Sequence, residues 1–269
     1  MNFDRAVHSG FLIHWTGKDI DCLHDPRWHE TDKSKTNEAC NAAYINRLHN
    51  ILKYGLWMTE EQRNNLSIPT VPQACFTELK LSESRKHAKR YGRLGIGVKR
   101  PFVFQRLGRP LIYYHHKKLK YDKFLKACFD KLLNDNDNKY LLNYFKQMNS
   151  SDILNYDFYG ESEWRIIFSK ELLGRYIIDP NDEINIKEHK YFDKLSIIEK
   201  NKLRYLIPLD YLFSMIIYPS LEVKNMAYQS DDIRYLIKEI KERKFSNHFI
   251  KDESKNMPIE LDLDACRNF

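Results

Sequence analysis

An α+β fold, with helices around a mixed or antiparallel β core, is predicted for this 269-residue chain, and three observations predict it. Short runs rich in β-branched and aromatic residues recur along the chain without the regular strand–helix alternation of a doubly wound fold. Two long stretches carry apolar residues at helical spacing, one near the start and one near the end. No repeat, low-complexity linker or Pro/Gly-rich seam divides the chain, so residues 1–269 are expected to form a single domain.

Taken in order, Phe11-Leu-Ile-His-Trp-Thr16 is a strand pattern ending at Gly17, and the polar, His-rich stretch from Asp19 to Glu38 is an insertion or loop. A helix follows from about Asn41, because Tyr44, Ile45, Leu48, Ile51 and Leu52 recur on one face and Gly55 stops it. Pro69 and Pro72 lead into a short strand, Ala74-Cys-Phe-Thr77; Ser82 can cap a helix running to Tyr91-Gly92, and Leu94-Gly-Ile-Gly-Val98 is a strand. Val103–Gln105 and Leu111–Tyr114 are further strand candidates between prolines. From Tyr121 to about Met148 two apolar faces joined by Asn134-Asp-Asn-Asp-Asn138 predict a helical hairpin inserted at about 121–150. Arg175–Asp179, Leu203–Ile207 and Met215–Tyr218 are expected as strands, and Asp231 to about Lys244 as a closing helix.

An apolar fraction of 42% supports a folded protein. With no long apolar run and no signal-peptide pattern at its start, the chain is expected to be cytoplasmic and free of membrane segments. Its five cysteines include no CxxC pair, which fits a reducing compartment; Cys22, His24, His29 and Cys40 match no compact zinc spacing, so no metal is expected. The net charge of +7 is local: between Leu79 and Lys126 there are 15 Lys or Arg against two acids, Glu83 and Asp122, a section of +13 in an otherwise acidic chain. Such a concentration points to a polyanionic partner such as nucleic acid, or to a solvated basic face.

The stretch around which the chemistry gathers is Gly160-Glu-Ser-Glu-Trp-Arg-Ile-Ile-Phe168. Residues two apart in a strand share a face, so Glu161 and Glu163 project together while Trp164, Ile166 and Phe168 face the other way. The glycines from Gly92 to Gly97 are no dinucleotide fingerprint, since they follow a helix and open a strand. Neither a P-loop nor a GxSxG elbow is present.

In order along the chain, His14-x-Thr16, Leu48-x-x-Ile51-Leu52-x-x-Gly55, Cys75-Phe76-Thr77-Glu78, His87-x-x-x-Tyr91-Gly92-x-x-Gly95-Ile96-Gly97-Val98 and Glu161-x-Glu163-Trp164-Arg165 resemble the AbiGi abortive phage-resistance family, over roughly residues 11–170. The same layout is similar to the ADP-ribosyltransferase fold and its DarT-like toxin branch. That resemblance implies NAD as substrate, bound by His14, Thr16, Phe76, Thr77, Tyr91, Gly92 and Arg165. It implies Glu163, Glu161 and His14 as catalytic, with Glu163 on the ribose 2′-hydroxyl and Glu161 as base. A carboxylate in that position strengthens its hold as positive charge develops on the ribose.

The function expected from this reading is a mono-ADP-ribosyltransferase toxin of a phage-defence or toxin–antitoxin system, modifying RNA or single-stranded DNA with exposed bases and restrained by a cognate antitoxin. AbiGi members are also described as antitoxins, which makes a non-catalytic antitoxin or adaptor, binding nucleic acid or a toxin, the first rival. A metal-independent ribonuclease built on His115, His116 and neighbouring lysines is the second.

Overall fold

Phe11–Thr16 forms strand β1, and its alternation divides the molecule into two faces. In the computed structural model, which describes residues 10–24, 37–60, 70–78, 81–114, 123–148, 161–182, 194–201, 203–243 and 256–268, β1 is central in an eight-stranded sheet. It pairs antiparallel with β4 (Pro72–Thr77) on one side and β5 (Leu94–Lys99) on the other. Beyond β4 lie β9 (Glu163–Ile167) and the two-residue edge strand β6 (Arg109–Pro110); β3 (Thr59–Glu60) also pairs with β4. Beyond β5 lie β11 (Phe213–Tyr218) and β12 (Ile259–Asp262), whose mutual pairing is parallel. The described structure is therefore α+β with a mostly antiparallel sheet.

One face is covered by helices. Leu12, Phe76, Ile96 and Ile166 pack there against α2 (Glu38–Tyr54), α7 (Leu221–Gln229) and α8 (Asp231–Glu242). Helix α2 starts where the Asn37 side chain accepts from the Cys40 N–H at 2.8 Å, and ends where Gly55 takes φ of 116°. Its buried stripe Tyr44, Leu48, Ile51 and Leu52 is the apolar periodicity of the sequence.

The other face has two halves. Ile13, Trp15, Met215 and Ile217 form an apolar half under α3 (Ser84–Tyr91) and the C-terminal residues Leu263 and Cys266. Across β4 and β9 the same face turns polar, with Gln73, Thr77, Glu163 and Arg165 buried in its place. A Cβ on Gly97 would stand 2.5 Å from that of Met215, so this glycine lets β5 and β11 come together.

Several expectations are corrected. Lys18–His24 is a helix, α1, rather than a loop, with Asp21 buried beneath it. Arg100–Gln105 is a helix, α4, not a strand: Pro101 suits a first helical turn, and Phe102 and Val103 are buried side by side instead of alternating. The inserted hairpin has one α-helix, α5 (Lys123–Leu133); its second arm is a 3₁₀ turn over Lys139–Tyr144 that runs into strand β8 (Phe145–Gln147), parallel to β7 (Ile112–Tyr114). Tyr114, Phe129, Leu142 and Phe145 give it a small core of its own. Arg175–Asp179 makes only isolated bridges, and Leu206–Ile207 is a two-residue strand, β10, against β2 (Leu56–Trp57). No described helix is long and apolar enough to cross a membrane.

Candidate functional site

Glu161 and Glu163 both line a cavity of about 330 Å³ bounded by β1, β3, β4 and β9, but not through strand alternation, because β9 begins only at Glu163. Ser162 between them takes φ of 45°, a left-handed turn that brings Glu161 to the mouth of β9. Both carboxylates are buried, at 1% and 4% exposure, and neither is alone. The Tyr91 hydroxyl donates to Glu161 Oε1 at 2.5 Å, and Lys146 Nζ donates to Glu161 Oε2 at 2.7 Å. Lys146 also donates to Glu163 Oε2, while Arg165 Nε donates to Glu163 Oε1 at 2.5 Å. Arg165 is in turn held by the Asn143 carbonyl at 2.8 Å, and the Glu163 N–H donates to the Tyr113 hydroxyl at 2.8 Å. Two anions are thus met by three cations, Lys146 between them, Arg165 on Glu163 and Arg90 3.8 Å from Glu161, and every carboxylate oxygen has a donor.

The electrostatics follow from that pairing. Burial pushes the Glu163 carboxyl up, but the Arg165 and Lys146 charges outweigh it and hold the pKa down at about 2. The Tyr91 hydroxyl is pushed up by burial and by Glu161 beside it. His87, behind Tyr91 with ring centroids 5.9 Å apart, is lowered to about 4 by burial against the opposing pull of Glu161. An acid held ionised this firmly is a poor proton acceptor, because a base works best with a pKa near the working pH.

The remaining predicted site residues divide between the two faces of the sheet. Cross-strand partners share a face, and the row Ile13, Thr77, Glu163 runs across β1, β4 and β9. Thr77, Glu163 and Arg165 therefore lie on the cavity side. His14 is one residue out of that row and pairs with Ile96 on the helix-covered side. Its ring lies 5.7 Å from that of Phe76 in the core, and its Nδ1 is 2.9 Å from the Cys75 carbonyl oxygen. The cavity wall runs along Ile13–Trp15, but the imidazole belongs to the opposite face, where burial lowers its pKa. Thr16 shares that side and accepts from Arg47 Nη1 at 2.9 Å. Gly92 is structural: at φ of 108° a Cβ would come within 2.4 Å of the Thr16 carbonyl.

Sequence reasoning missed Lys146, Tyr113 and Asn143. The one available signal was Lys146 standing inside the aromatic run Tyr144-Phe145, where strand alternation turns it away from Phe145. Read as the face of a helix, the run concealed it.

Part of the basic section is paired with acids in three dimensions. Arg93 pairs with buried Asp21, Arg106 with buried Asp210, Arg100 with Glu78 and Arg85 with Asp264, so acids from the rest of the chain meet four of its arginines. His115, His116 and the lysines after them lie outside the described residues, as does His29. Among the described residues no group of His, Cys, Asp and Glu is placed to hold a metal ion.

A family model described as abortive phage resistance protein AbiGi, antitoxin, matches residues 53–212, more than half of the chain. The chain belongs to the AbiGi family. No curated protein and no solved structure matches it. The family match supports the AbiGi part of the resemblance, over residues 53–212 rather than 11–170, lends no support to the ADP-ribosyltransferase likeness, and overturns the function drawn from it: the family is described as antitoxin, so the expected NAD-dependent ADP-ribosyltransferase toxin is corrected to the antitoxin side of a phage-resistance system. The matched segment contains Tyr91, Lys146, Glu161, Glu163 and Arg165.

Proposed function

We propose that this chain is a non-catalytic antitoxin that restrains its toxin by binding it, and that the Glu161–Glu163 cluster is a structural tie between β9 and the inserted 123–148 unit. The observation that carries the reading is the AbiGi antitoxin match over residues 53–212. The geometry agrees with it. A transferase needs a carboxylate free to take hold of a sugar hydroxyl, whereas both oxygens of Glu163 are engaged by cations supplied by the fold itself. Replacing those partners by a substrate hydroxyl would leave Arg165 buried without its counter-charge and Lys146 with Glu161 alone.

The test is co-expression of the chain with the toxin encoded beside it, scoring growth and co-purification. Rescue of growth and a stable complex are expected, and Glu163→Gln is expected to keep the rescue as far as the protein stays folded. A chain that neither rescues growth nor binds the toxin would overturn the proposal, as would toxicity of the chain alone that Glu163→Gln abolishes.

A further inference from the structure

A surface with exposed apolar side chains lies on the segment that follows β5. Within Phe104–Ile112 three large apolar side chains face solvent, Phe104 at 52%, Leu107 at 42% and Ile112 at 48% exposure, and Arg109 and Pro110 are exposed between them. Scattered apolar residues on a surface are ordinary, but these share one short segment on a rigid base. Arg106, fully buried, donates to Asp210 at 2.9 Å and to the Phe102 and Pro208 carbonyls, with its guanidinium 3.6 Å from the Phe102 ring centroid. Phe104 stands edge-on to Trp164 at 5.3 Å, and the Tyr144 hydroxyl donates to the Leu107 carbonyl at 3.0 Å.

Leu107 is held at φ of 56°, a left-handed conformation that a leucine rarely adopts. Its side chain joins none of the buried clusters among the described residues. Backbone strain kept at an exposed apolar residue is a mark of a contact made with something else. Arg109 gives the sign of that contact: unlike Arg93, Arg100 and Arg106 it has no carboxylate partner among the described residues, and it stands exposed at the sheet edge beside Tyr144. The edge strand β6 is only two residues long and contains Pro110, which removes a backbone donor, so a partner cannot simply add a strand there and must hold the side chains.

We infer that Phe104, Leu107 and Arg109 form the toxin-docking surface, and that they fit an apolar pocket on the toxin flanked by a carboxylate. This inference rests on the antitoxin reading and assigns its contact. Aromatic and arginine anchors on a preorganised base dominate the affinity of protein interfaces, while a charge at the rim acts mainly on the rate of association.

The experiment titrates the purified full-length chain with the toxin encoded beside it, following association and dissociation rates at low and high salt. Phe104→Ala is expected to weaken the complex by roughly 30-fold. Leu107→Gly is expected to weaken it by roughly tenfold while the thermal midpoint of the free chain stays the same or rises, which separates lost contact from lost fold. Arg109→Glu should slow association and flatten its dependence on salt. If the unaltered chain binds toxin and all three variants bind equally well, the surface is overturned and the antitoxin reading stands; if the unaltered chain does not bind, both fall. Self-association of the chain that the same substitutions abolish would assign the surface to a second copy and overturn the proposal.

Discussion

The Glu161–Glu163 cluster turns every charge inward onto another charge, whereas the Phe104–Arg109 segment turns a cation and two large apolar side chains outward. In sequence the first has the look of chemistry, two acids one residue apart before an aromatic strand, and the second has the look of an ordinary strand candidate. The difference teaches that residue type indicates what a group can do, while its partners decide whether any of that capacity is left. Lys146 and Arg165 use up the acid pair. Asp210 fixes Arg106 and leaves Leu107 and Arg109 on display.

Breaking the inward region should produce the largest effects on stability. Arg165→Leu leaves Glu163 buried with half its counter-charge, and a loss of about 3–5 kcal/mol is expected from urea unfolding. Acid acts on the same group. Its pKa falls from 4.5 to about 2 on folding, so the ionised pair contributes about 3 kcal/mol that is present above pH 4.5 and is lost as pH falls through about 2. His87 adds to this in a higher window: with a folded pKa near 4 against 6.5, the unfolded chain binds the proton first, and stability should already decline between pH 6.5 and about 4. A denaturation series across pH 2–8 that is flat below 6.5 would remove both contributions.

Lys146→Met should have a smaller effect, about 2 kcal/mol near neutral pH, because this lysine is partly exposed. It should also change the sign of the pH response. With the shared cation gone, two buried carboxylates face each other, one takes up a proton at raised pKa, and the variant regains stability relative to the unaltered chain as pH falls. Leu107→Gly sharpens the comparison from the other side: stability should be unchanged or higher by up to about 1 kcal/mol, since glycine adopts the left-handed turn without strain, and only toxin binding should suffer. A large loss of stability there would make Leu107 part of the fold rather than of an interface.

Much of the fold was legible along the chain. The Phe11–Thr16 strand, the helix closed by Gly55, the strand before Lys99 and the closing amphipathic helix all carry their periodicity and caps locally. Elements whose signal depended on context were misread. Val103–Gln105 has strand-forming residues, but Pro101 and the side-by-side burial of Phe102 and Val103 wind it as a helix, and the aromatic run to Met148 is part 3₁₀ turn and part strand because β7 pairs with it. Helix α7 and strand β12 went unread, since the first is nine residues long and buries only Val223 and Ala227, and the second is a short run whose place is set by pairing with β11.

What the sequence determined by itself was the strand alternation from Glu163 to Ile167, the concentration of basic residues after Leu79, and the resemblance to the AbiGi family, while the left-handed turn at Ser162 that brings Glu161 beside Glu163 came from the fold. Only the tertiary structure decided that His14 faces away from that pair, that the pair is neutralised by a lysine from the inserted unit, and that part of the basic section finds its acids elsewhere. The physical reason is common to all three. Side-chain direction along a strand follows from a period of two, but strand register and the meeting of distant charges are properties of the assembled sheet.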